Sequence, residues 1–216
     1  MLDNVPPITR ALLIANVLLF LAMMGMGEAR FLDLMLWPAG DYPVRLPDGS
    51  SGLVGFLPWQ LLTYGFLHGG LTHLFFNMFA LWMFGGPLEA TWGSRRFLQY
   101  YLVCVVGAGA VQLVVATAAA SGGLGPYPTV GASGGVFGLL LAYGLLFPNH
   151  RLMLLFPPIP MRARTFVICY GLLELFLGVT GTASGVAHFA HLGGMAFGFL
   201  LIQFWRGRWP FRRTRR

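Results

Sequence analysis

Eight polar side chains interrupt apolar runs in this sequence: His68, His73, Asn77, Gln112, Ser133, Glu174, His188 and His191. A serine hydroxyl is a weak nucleophile until a base takes its proton. An imidazole, whose ordinary pKa is about 6.5, suits that task at neutral pH. Attack on a carbonyl also needs donors in place where negative charge develops. Backbone N–H groups at the start of the Ser133 helix, the His73 ring and the Asn77 amide are the candidates. His73 and Asn77 are four residues apart and share one helix face. The chemistry these groups could perform together is acyl transfer through Ser133, with His191 as base.

The chain that must position them has 216 residues, 56% of them apolar and 10% charged, with mean hydropathy +0.70. Soluble domains carry about 25% charged residues, so an ordinary water-soluble enzyme is excluded. The 30 Gly and 14 Pro do not signal disorder, which requires low hydrophobicity. All 14 cations are Arg, against seven acids, giving +7 and a pI near 10.1. Nucleic-acid binding would need a basic face on a polar domain. Here six of the Arg fall between Arg206 and Arg216, directly after an apolar run, which reads as a cytoplasmic membrane anchor facing anionic lipid. Cys104 and Cys169 both lie inside apolar runs, which argues against a disulfide and a zinc ribbon. No cofactor, metal or nucleic-acid partner is expected.

Six apolar segments approach the roughly 20 residues needed to cross a bilayer: about 9–26, 69–90, 97–119, 133–147, 165–180 and 186–205. The fold class expected is an all-α integral membrane protein, a six-transmembrane-helix bundle forming a single domain over 1–216 with no separate soluble domain. The long first connection, 27–68, contains Trp37 and Trp59 and reads as an ordered interfacial loop. Arg10 before the first apolar run also permits a signal peptide there, although the run is longer than a usual signal core. With both termini cytoplasmic, Arg10, Arg95, Arg96, Arg151, Arg162, Arg164 and the six C-terminal Arg lie inside, leaving Arg30 and Arg45 outside. That asymmetry sets the orientation of a multi-pass protein of the inner (plasma) membrane, with its site opening toward the outer face.

Counting about 1.5 Å of rise per residue from the cytoplasmic helix ends puts Ser133 and His191 each roughly 22 Å up, His73 roughly 24 Å and Asn77 roughly 18 Å. These four groups then share one layer beneath the outer surface. A helix starting at Ser133 begins below that surface, so its unpaired N–H groups must open into a buried polar cavity. The preceding 125–131 must run inward as non-helical backbone. Small residues at Gly134, Gly138 and Ala142, and at Gly194 and Gly198, allow the two helices to approach closely. On the same count no acid reaches His191: Glu89 is at a cytoplasmic end and Glu174 lies nearer mid-membrane, which predicts a Ser-His dyad. Glu174 reads either as a gate element or as a protonated residue. His188 is the lesser candidate for the base and reads as a cavity-lining or interfacial residue. His68 is expected at the interface, and Gln112 bonded to neighbouring backbone.

The pattern resembles the rhomboid intramembrane serine proteases. The resemblance rests on Gly131-Ala132-Ser133-Gly134, on His73-x-x-x-Asn77, and on Ala190-His191-x-x-Gly194-x-x-x-Gly198, with Glu89, Gly93-Ser94-Arg95-Arg96-Phe97 and Phe137 in support. It covers about 58–200. It implies Ser133 as nucleophile and His191 as base, with His73, Asn77 and Gly131 on the oxyanion side and Phe137 packed on the base. It also implies membrane-protein substrates with a helix-destabilised transmembrane segment, entering between the second and fifth helices. The Gly- and Ser-rich 180–185 would cap the dyad. Where the family often has Trp-Arg in the first loop, this chain has Trp59-Gln60, which puts a loop-anchoring contact in question. Two other functions fit parts of the pattern. His pairs 68/73 and 188/191 suggest a metal transporter or metalloprotease, but without H-E-x-x-H or a carboxylate at their depth. A catalytically inactive, substrate-binding relative is the other. The oligomeric state is left open.

Overall fold

The computed structural model of the chain describes residues 4–45, 49, 51–153, 158–181 and 186–208. The described residues are mostly helical. The long helices are α1 (Pro7–Met26), α5 (Ser94–Ala119), α6 (Ser133–Leu146), α7 (Ala163–Thr180) and α8 (His188–Trp205). Between α1 and α5 the chain forms the single turn α2 (Gln60–Thr63) and then α3 (Leu71–Ala80) and α4 (Gly86–Trp92). A π turn, Leu81–Gly85, joins α3 to α4, so 71–92 is one continuous helical run. Among the described residues, three helical stretches are long and apolar enough to cross a membrane: Pro7–Met26, Ser94–Leu124 and Ala163–Thr180. Two small hairpins were not foreseen, β1 (Tyr42–Arg45) with β2 (Ser51–Val54), and β3 (Arg151–Met153) with β4 (Pro160–Arg162). Each pairs antiparallel between helices, where short strands satisfy connecting backbone.

The helices form because apolar runs bounded by Gly and Pro leave backbone hydrogen bonding no other partner in an apolar medium. Helix α8 packs chiefly on α5 and α6, with glycine making the close approaches. A Cβ at Gly194 would collide with the Gly134 carbonyl oxygen, and one at Gly107 with the Phe197 ring. Gly138 also meets the Gly194 oxygen, but it faces mainly Cys104 of α5, while Gly198 faces Tyr100 and Cys104. The small stripes therefore seat α8 against two neighbours rather than one.

Segment 27–68 contributes Phe31, Met35, Trp37, Val54 and Leu67 to an apolar cluster that includes Met23 of α1. Trp59 Nε1 donates to the Asp33 carbonyl at 2.9 Å. The fully buried Gln60 amide donates to the carbonyls of Gly55 (3.1 Å) and Asp33 (3.3 Å) and accepts from Trp37 N–H (3.2 Å). Gln60 thus anchors the loop at the position where the family often has Arg. The non-helical stretch before α6 is held likewise: Leu36 and Thr129 exchange two backbone hydrogen bonds at 3.0 and 2.8 Å.

Candidate active site

Helix α6 begins at Ser133, and a helix's first N–H groups have no intrahelical acceptor. Gly131, two residues earlier, sits at φ +132°, a conformation that L side chains rarely adopt. A Cβ there would lie 2.7 Å from the His73 ring, so glycine is what lets this turn pass beneath that imidazole. From α8, His191 Nε2 reaches Ser133 Oγ at 2.9 Å. The Phe137 ring of α6 stacks on His191 with centroids 4.1 Å apart and planes 6° from parallel. Ser133, His73, Gln112, His188 and His191 all border one cavity of about 710 Å³.

Glu174 corrects the sequence reading. Its Oε2 lies 2.9 Å from His191 Nδ1 and 2.7 Å from His188 Nδ1, and its residue is only 5% exposed. An acid therefore does reach His191. Counting rise from the cytoplasmic ends treated those ends as level. Counted from the opposite ends, Glu174 is six residues before Thr180 and His191 three after His188, about 9 and about 4.5 Å in. A glutamate side chain spans that gap.

The same three residues bring donor atoms within 4.8 Å of one another, so a carboxylate does stand at the depth of these histidines. Their spacing decides between a metal and hydrogen bonds. Tetrahedral zinc with ligands near 2.0 Å holds donor atoms about 3.3 Å apart. Contacts of 2.7 and 2.9 Å are shorter and fit two Nδ1–H groups donating to one carboxylate oxygen.

Other expectations are also revised. His68 is buried within the protein: it is 2% exposed, its ring 5.1 Å from that of His73. The turn Tyr64–Phe66 folds it inward ahead of α3, and burial, with His73 beside it, pushes its pKa down to about 4. Gln112 does not bond neighbouring backbone, which the α5 ladder already uses. Its Nε2 donates to Thr129 Oγ1 at 3.2 Å on the cavity wall. The Gly131 N–H donates to the Tyr64 carbonyl at 2.9 Å, so it is not available to an oxyanion. Asn77 Nδ2 donates to the His73 carbonyl at 3.0 Å, and Asn77 does not border the cavity. Of the suggested cap, 182–185 lie outside the described residues, as do Arg212, Arg213, Arg215 and Arg216 of the C-terminal run.

A model of the rhomboid domain matches residues 56–208. Rhomboid protease GluP of Bacillus subtilis (strain 168) is 36% identical over 141 residues, 65% of this chain and 25% of that protein. RHOMBOID-like protein 4 of Arabidopsis thaliana is 34% identical over 143 residues, 66% of this chain and 33% of that one. Rhomboid protein 1, mitochondrial, of Saccharomyces cerevisiae is 31% identical over 148 residues, 65% and 40% of the two chains. The chain thus spans between a quarter and two fifths of these relatives' lengths. With the motif glycines, the serine and the histidines all inside the matched region, the chain belongs to the rhomboid family.

Proposed function

We propose that this chain is an intramembrane serine endopeptidase, hydrolysing peptide bonds in or beside transmembrane segments of other membrane proteins. The observation that carries the reading is the 2.9 Å contact between Ser133 Oγ and His191 Nε2 on the wall of a cavity. The runs 7–26, 71–92, 94–119, 133–146, 163–180 and 188–205 act as six spans with both termini cytoplasmic, and the site opens toward the outer face of the plasma membrane. Exposed apolar side chains such as Leu18, Leu21 and Met24 on α1 and Leu172, Phe176 and Val179 on α7 support contact with lipid.

In the reaction, His191 Nε2 takes the Ser133 proton as the Ser133 oxygen bonds to the scissile carbonyl carbon. The resulting oxyanion is held by N–H groups of the first α6 turn and by the His73 ring. His191 then delivers its proton to the departing amine, and water repeats the sequence to release the acyl group. A substrate helix must unwind locally, since its carbonyls are otherwise committed to i→i+4 bonds. Segments with Gly or Pro do so at lower cost.

The test is a labelled fluorophosphonate together with a transmembrane reporter in liposomes. Wild type is expected to be labelled and to cleave, and Ser133→Ala to do neither. Labelling that persists in Ser133→Ala would overturn the nucleophile. A folded wild type that binds the reporter yet neither labels nor cleaves would mark an inactive, substrate-binding member.

A further inference from the structure

We propose that Glu174 is a positioning residue for His191, and that because α7 carries it, the base is aligned only while α7 is seated against α8. The inference rests on the protease reading above. Stacking on Phe137 fixes the plane of the His191 ring but leaves its rotation within that plane open. The carboxylate closes that freedom. With Nδ1–H committed to Glu174 Oε2, the ring turns its proton-free Nε2 toward Ser133 Oγ, and the tautomer that can accept a proton is the one held. An acid in an apolar span is costly unless it has partners, and both of its hydrogen-bond partners here are ring nitrogens of α8.

The three participants do not sit on one rigid unit. Ser133 and His191 are on α6 and α8, which touch backbone to backbone where Gly194 meets Gly134. Glu174 comes from α7, which packs less extensively on α8 and turns Leu172, Leu173, Leu175 and Phe176 outward. The seam between α7 and α8 runs past Gly178, where a Cβ would come within 3.2 Å of His188 Cβ and 3.3 Å of the Phe189 ring. Any displacement of α7 therefore stretches the Glu174–His191 bond while leaving Ser133 and His191 on their common frame. A chain in which α7 moves to admit substrate would have an idle base until α7 returns.

Purified full-length protein in liposomes tests this with a transmembrane reporter, read as kcat and KM separately, and with the fluorophosphonate labelling rate. Glu174→Gln, close in shape but unable to accept from both rings as an anion, should lower kcat and the labelling rate by about 100-fold or more, with KM within about threefold. Glu174→Asp should recover part of that loss. Gly178→Leu keeps the carboxylate but wedges α7 from α8. It should lower kcat, whatever its effect on KM as a cavity-lining residue, and add nothing to the kcat loss when combined with Glu174→Gln, since both remove the same Glu174–His191 interaction. Should Glu174→Gln fail to fold by thermal melting, Glu174→Asp and Gly178→Leu carry the test. Wild-type rates in Glu174→Gln, or losses that multiply in the double variant, overturn the proposal. If wild type is labelled and cleaves while Glu174→Gln does so equally, only the role of Glu174 falls. If wild type does neither, the protease reading falls first.

Discussion

Two glutamates are buried among the described residues, and their partners are of opposite kinds. Glu89 accepts from the Ile8 and Thr9 backbone N–H groups at 2.9 and 2.7 Å and from the Thr9 and Ser94 hydroxyls at 2.8 and 2.7 Å. It closes the N-terminus of α1, where unpaired N–H groups and the positive end of the helix dipole favour an anion. None of those donors exchanges a proton in ordinary use. Glu174 is held by two imidazoles, one of which, that of His191, contacts the Ser133 hydroxyl. A buried carboxylate therefore serves folding or chemistry according to what donates to it, and its depth alone does not say which.

The largest expected effect lies on the Glu174 side of that contrast. His191→Ala should lower turnover by about 10⁴-fold or more while its melting profile stays like that of wild type. Residual cleavage at wild-type rates in the liposome assay would remove His191 as base. His73→Ala comes next, expected to lower kcat about 10²–10³-fold, as for loss of one oxyanion donor. Unchanged kcat would leave the first turn of α6 as the sole source of donors. Asn77→Ala should cost about tenfold or less, because its amide serves the His73 carbonyl and not the cavity. Glu89→Gln should leave kcat per folded molecule within about twofold and instead lower stability by about 1–3 kcal/mol, read as earlier thermal unfolding. A Glu89 variant that loses activity but melts like wild type would erase the distinction between the two acids.

Most of the helical layout was legible because it rests on long apolar runs. The start of α6 at Ser133 followed from the apolar run at 133–147, and the seating of α6 on α8 from their small residues, Gly134 and Gly194 among them. Contacts that depend on side-chain reach were not legible. Glu174 was misplaced because rise along a helix gives no lateral distance and helix ends are not level. Gln112 was misread because its partner Thr129 lies 17 residues on, in the non-helical stretch before α6 that only the folded chain brings alongside. For Gly131, the resemblance implied the oxyanion side, but the Tyr64 carbonyl that occupies its N–H comes from 67 residues away in the chain.

The contact of Gly194 with the Gly134 carbonyl gives Ser133 and His191 a ruler made of main chain. Side-chain rotamers relax and lipids of different thickness tilt helices, but two peptide planes pressed together have nowhere to slide. The spacing of residues 133 and 191 should accordingly hold across bilayers that bend the rest of the bundle, and even one methyl added at Gly194 would lengthen that ruler.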